Sequence, residues 1–130
     1  MIQVDAMFPV MVAKDLVALK DFYETMFGFK AVFYDPSFYL HLVSPQSGIQ
    51  LGFLVPNHAS QPSFLQPLMD TSGYVISFEV KDAATSYAEA QKQNLNVVMD
   101  MKDESWGQRH FMVQDPAGFK IDIVQHMETK

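Results

Sequence analysis

The chain repeats itself, and the repeat limits what it can fold into. A strand-like run over residues 8–13 gives way at Lys14-Asp15 to a helix-like run that ends at Phe27-Gly28. A second strand-like run over 74–80 gives way at Lys81-Asp82 to a helix-like run that ends near Asn94. Each half later carries a tight turn, Ser44-Pro45-Gln46-Ser47-Gly48 in the first and Asp115-Pro116-Ala117-Gly118 in the second. Asp82 follows Asp15, and Pro116 follows Pro45, at nearly equal offsets. Two copies of one supersecondary unit must share or stack a core. Paired half-domains tend to enclose a cleft, so the repeat predicts a binding cavity.

Alternation and capping residues place the elements. In the first strand Met11 and Ala13 share one face, while Phe8, Val10 and Val12 share the other. Asp15 is the expected N-cap of a helix over 16–27, with Gly28 as its stop. Leu19, Phe22, Tyr23 and Met26 recur at helical spacing and are expected on the sheet. Strands are predicted over 29–34, 38–43 and 48–54. The second half repeats the order: Asp82 caps a helix from 83 to about 93, and strands follow over 95–101, 108–114 and 119–125. The predicted class is therefore α+β, with two βαβββ modules. Module one spans about 5–54 and module two about 73–126, within a single domain over 1–130. Between them a linker over about 55–72 carries Pro56, Pro62 and Pro67. Phe64, Leu65, Leu68 and Met69 are expected to pin it to the body.

Composition excludes several classes. Nearly half of the 130 residues, 48%, are hydrophobic, enough to build a core. There is no cysteine, so disulfides, thiolate zinc sites and a cysteine nucleophile are out. No apolar run approaches the ~20 residues of a membrane span. The start lacks a basic signal-peptide region, and a cytoplasmic protein is the expectation. A net charge of −6 with a single arginine, Arg109, argues against nucleic-acid binding. The same charge favours cationic over anionic ligands. No Gly-rich phosphate loop, His-Glu-x-x-His or Gly-x-Ser-x-Gly stands in the chain.

The repeated unit resembles the vicinal oxygen chelate superfamily, which includes glyoxalase I, extradiol dioxygenases, fosfomycin-resistance enzymes and bleomycin-resistance proteins. Val12-Ala13-Lys14-Asp15-Leu16, Phe22-Tyr23 with Phe27-Gly28-Phe29, Trp106-Gly107 and Asp115-Pro116-Ala117-Gly118-Phe119 carry the resemblance over nearly the whole chain. It implies that each module curls into a half-barrel with its helix outside, and that the concave faces enclose a ligand. It also implies a homodimer, because module one of one chain commonly faces module two of the other.

Metal enzymes of the superfamily draw ligands from the first and last strands of each module. Carried over, those positions are Phe8 and Val75 on the first strands, and Asp122 with Gly52 on the last; an ungapped match puts Gln50 in place of Gly52. One carboxylate, even with Gln50 beside it, does not hold a transition ion. The expectation is therefore no metal and no cofactor.

The same registers direct Leu40, Leu42, Phe111 and Val113 to the core. They direct Phe8, Tyr39, His41, Gln50, Ser77, Glu79, His110, Met112 and Asp122 to the cavity. Trp106, beside Asp103 and Glu104, stands where bleomycin-resistance-type proteins wall a groove for a planar cationic drug. An indole offers a flat face for stacking and for cation–π attraction. Of the family's branches, the bleomycin-resistance-like one is nearest. The expected function is metal-free binding, and sequestration, of a small aromatic or cationic compound. The alternative is a divergent lyase, dioxygenase or isomerase that uses His41, His110, Glu79 and Asp122. A third reading is a dimeric scaffold whose cavity is filled by its own side chains.

Overall fold

The computed structural model describes residues 1–128. The chain divides into two compact units, Met1–Asp70 and a second that begins at Thr71. The first runs β1 (Val10–Val12), α1 (Leu16–Phe27), β2 (Lys30–Asp35), β3 (Tyr39–Val43) and β4 (Gln50–Leu54). The second runs β5 (Val75–Glu79), α2 (Ala83–Lys92), β6 (Asn96–Glu104), β7 (Gln108–Gln114) and β8 (Lys120–His126). Each unit is a βαβββ module whose sheet has the same order, β1-β4-β3-β2 in one and β5-β8-β7-β6 in the other. In each, the first strand pairs in parallel with the last and the other pairs are antiparallel.

The helix boundaries follow from their caps. Asp15 accepts a hydrogen bond from the backbone N–H of Ala18 at 3.1 Å, and Gly28, with φ of 70°, sends its own N–H back to the Tyr23 carbonyl. That left-handed backbone is free of steric cost only for glycine. Asp82 accepts from Ala84 and Thr85 at 3.0 and 3.2 Å. Burying Leu16, Leu19 and Tyr23 seats α1 on its sheet, with the Tyr23 ring 5.5 Å from that of Phe53. Phe22 and Met26 are only half-buried. In the second unit Tyr87 of α2 meets Phe111 edge-on at 5.1 Å.

These contacts settle which face is which. Register puts Leu40 beside Phe53 and Leu42 beside Leu51, so all four turn toward α1, and all are buried. Phe111 beside Ile123 and Val113 beside Ile121 do the same toward α2. The intervening residues occupy the opposite side of each sheet, the far face.

Three sequence expectations are corrected. The first strand starts at Val10 rather than residue 8, because Pro9 has no N–H to give the ladder; only its carbonyl joins, accepting from Gly52 at 2.9 Å. The sixth strand runs on to Glu104 rather than ending at 101, since Lys102, Asp103 and Glu104 pair with His110, Arg109 and Gln108. The segment after β4 is held by polar groups rather than by all four apolar side chains expected there. Met69 donates its backbone N–H to Val12 at 3.0 Å, and the Gln66 amide spans the carbonyls of His58 and Gln61, while Phe64 is 78% exposed. The outer strands β2 and β6 are also irregular: register shifts between Ala31 and Phe33, between Val97 and Met99, and between Met99 and Lys102.

Among the described residues no helix is long and apolar enough to cross a membrane.

Candidate functional site

The far face of the first sheet gathers four of the predicted residues. Tyr39 and His41 lie two apart on β3, hence on one side, and Gln50 reaches them from β4. The Tyr39 hydroxyl is 2.7 Å from His41 Nδ1, and His41 Nε2 is 2.7 Å from Gln50 Oε1. Phe8 sets its ring edge-on to the imidazole at 4.6 Å. All but Phe8 are half-buried. Burial pushes the Tyr39 hydroxyl's pKa up, which favours the protonated phenol.

Gly52 explains how Tyr39 lies so low. A Cβ at residue 52 would collide with the Tyr39 hydroxyl and come within 3.0 Å of its Cζ. The space a side chain at this position would fill is taken by the phenol of the neighbouring strand.

The second sheet's far face is ionic. His110 is buried and uses both ring nitrogens: Nδ1 meets Asp122 Oδ1 at 2.8 Å and Nε2 meets Glu104 Oε2 at 2.7 Å. Lys102 also reaches Glu104, at 3.2 Å. Burial by itself lowers the imidazole pKa, but the hydrogen bonds and charges of Glu104 and Asp122 outweigh it and raise the value above the ordinary 6.5. The imidazolium in turn lowers the Glu104 pKa, chiefly through their hydrogen bond. A carboxylate only accepts, so an imidazole bonded to two of them carries both protons.

The remaining predicted residues form no hydrogen bond with this triad. Glu79 is exposed and pairs with His126. Ser77 is exposed and lies beside Asp122 in register, as does half-buried Met112. Trp106, in the turn between β6 and β7, is 63% exposed and donates its indole N–H to Gln108 at 2.8 Å. Arg109 forks onto Asp103 at 2.7 and 3.0 Å. The sequence reading missed Glu104 as the partner of His110 and His126 as the partner of Glu79. The alternation that marks β6 stops at Met101, and only the added length of the strand brings Glu104 to His110.

The superfamily's divalent metal does not fit these residues. Phe8 and Val75 offer no donor atom, the space at Gly52 is filled by Tyr39, and Asp122 is engaged by His110. Gln50 supplies one carboxamide oxygen, already bonded to His41. Among the described residues no three His, Asp or Glu side chains form a group that could hold a metal ion.

Two βαβββ modules of this strand order, each with polar groups on the face away from its helix, define an α+β protein of vicinal-oxygen-chelate type. The sequence model of the Glyoxalase/Bleomycin resistance protein/Dioxygenase superfamily matches residues 6–123, and the chain belongs to that superfamily. Among solved structures, a superfamily member from Sphaerobacter thermophilus DSM 20745 is 22% identical, with a TM-score of 0.75 over 95% of this chain and 98% of its own. A glyoxalase/bleomycin resistance protein/dioxygenase from Nocardioides is 16% identical, with a TM-score of 0.78 over 100% and 88%. A lactoylglutathione lyase from Agrobacterium tumefaciens is 17% identical, with a TM-score of 0.75 over 95% and 94%. At these identities the likeness is one of fold. No curated protein matches the chain in sequence.

Proposed function

We propose that the protein binds a small aromatic compound without a metal ion, on the far face of its first sheet. The observation that carries this reading is the Phe8, His41, Tyr39 and Gln50 cluster: three rings with a hydrogen-bonded polar chain among them. Binding sites for small molecules combine an apolar, aromatic lining with a few placed polar groups. Members of this superfamily typically bind small molecules.

Neutral aromatics suit the residues better than cations. The cluster of Phe8, Tyr39, His41 and Gln50 contains no carboxylate to attract a cation. Sequestration of a toxic aromatic compound suits them better than catalysis. A proton-transfer histidine needs a ring nitrogen directed at substrate, and both nitrogens of His41 are engaged.

A thermal-shift screen of neutral aromatics, cationic aromatics and aromatic acids tests the assignment. Neutral aromatics are expected to raise Tm most, and Phe8→Ala to weaken them about fivefold or more by removing a ring. A preference for acids, indifferent to Phe8→Ala, would show that the charge and the wall are misassigned. Metal content is a separate check. Purified protein is expected to carry no stoichiometric transition metal, with Tm unchanged by chelator. Elemental analysis giving about one zinc, nickel, manganese or iron per chain overturns the metal-free reading.

A further inference from the structure

The polar chain on the first sheet has a direction. Gln50 turns its carbonyl oxygen to His41 Nε2, and a carbonyl oxygen only accepts, so the proton of the neutral imidazole sits on Nε2. His41 Nδ1 is then bare, and the Tyr39 hydroxyl 2.7 Å away donates into it. A phenol whose proton is committed to a neighbour has only oxygen lone pairs left for a ligand. The raised Tyr39 pKa keeps that proton in place. Gly52 beneath the ring and the hydrogen bond to His41 together hold the oxygen in one position.

We propose that the polar end of this face is a hydrogen-bond acceptor, and that it selects aromatic compounds bearing a donor, a phenolic O–H or an aromatic amine N–H, over aryl ethers and ketones. The proposal rests on the aromatic-binding reading above and adds the polarity of the handle. The discrimination comes from the ligand's missing donor, which leaves a desolvated acceptor on the protein unpaired.

Calorimetry of the full chain with para-cresol, para-toluidine, para-methylanisole and para-methylacetophenone tests it, since the rings match and the polar group differs. The cresol and the toluidine are expected to bind about fivefold to tenfold more tightly than the ether or the ketone. Tyr39→Phe removes the acceptor, so the cresol-to-anisole ratio is expected to fall to near one while anisole affinity holds within about twofold. Gln50→Glu keeps an acceptor on His41 and is expected to preserve the ratio at a pH high enough that the imidazole stays neutral beside the carboxylate. Gln50→Leu frees the imidazole tautomer and is expected to reduce it. If Tyr39→Phe fails to fold, as circular dichroism would show, the two Gln50 variants decide the matter. An ether or ketone that binds as tightly as cresol overturns the proposed polarity and leaves aromatic binding standing, as does a ratio unmoved by Tyr39→Phe and Gln50→Leu. Absence of binding by all four probes overturns the aromatic-binding reading and this inference with it.

Discussion

Phe53→Ala is expected to cost about 3–5 kcal/mol of folding free energy, the largest effect of any single change considered. Phe53 is fully buried, its ring 5.5 Å from that of Tyr23, and it lies beside Leu40 and Met11 in the sheet. Truncation loses the transfer energy of a whole ring and leaves a cavity that α1, fixed at both ends by its caps, cannot close by settling. Chemical denaturation should show a lower midpoint with a nearly unchanged slope. A loss below about 1 kcal/mol would mean that β4 is not clamped beneath α1 as described. The effect reaches the site because Gln50 and Gly52 alternate on the same strand with Leu51 and Phe53. The apolar side of β4 holds its polar side in register.

His110→Leu is expected to cost about 2–4 kcal/mol, because Asp122 and Glu104 would then share a poorly hydrated site without the cation between them. The pH profile supplies the signature that a packing defect would lack. The His110 pKa is raised in the folded protein. Its contribution is therefore fully present below the unfolded-state value of about 6.5, and it is lost as pH rises through the higher folded value. Glu104 behaves oppositely. Its lowered pKa gives stability above the unfolded value of about 4.3, lost as pH falls through the folded one. The wild type should be most stable between those limits and should decline on the alkaline side. His110→Leu should show no decline from this source. Melting curves taken across the range decide, and an alkaline decline of equal size in the variant would assign it to other groups.

The helices and the strand faces could be read from the chain because each rests on local chemistry. Asp15, Gly28 and Asp82 act on backbone groups within a few residues of themselves, so their effect is visible in order. Leu40, Leu42, Phe111 and Val113 alternate with less apolar neighbours, and alternation survives small errors in strand ends. What crosses strands could not be read. Glu104 meets His110 only because β6 ends three residues later than its alternation suggests, and those residues are charged rather than alternately apolar. His126 reaches Glu79 through a pairing that no spacing reveals. Tyr39, His41 and Gln50 are legible singly. That they form one chain depends on the bare backbone of Gly52, a residue that in the sequence marks only a missing metal ligand.

The irregular outer strands bear on what could add to the edge of each sheet. In each module the strand that ends the sheet order, β2 or β6, breaks register near its start, between Ala31 and Phe33 and between Val97 and Met99. β2 exposes Val32, Phe33 and Tyr34, a composition well suited to recruiting a foreign strand. A bulge twists the edge and interrupts the even row of free N–H and C=O groups that an incoming strand would need. β6 adds a second interruption and ends in Lys102, Asp103 and Glu104. Straightening β2 by deleting one residue at the bulge is expected to restore an even apolar edge open to strand addition.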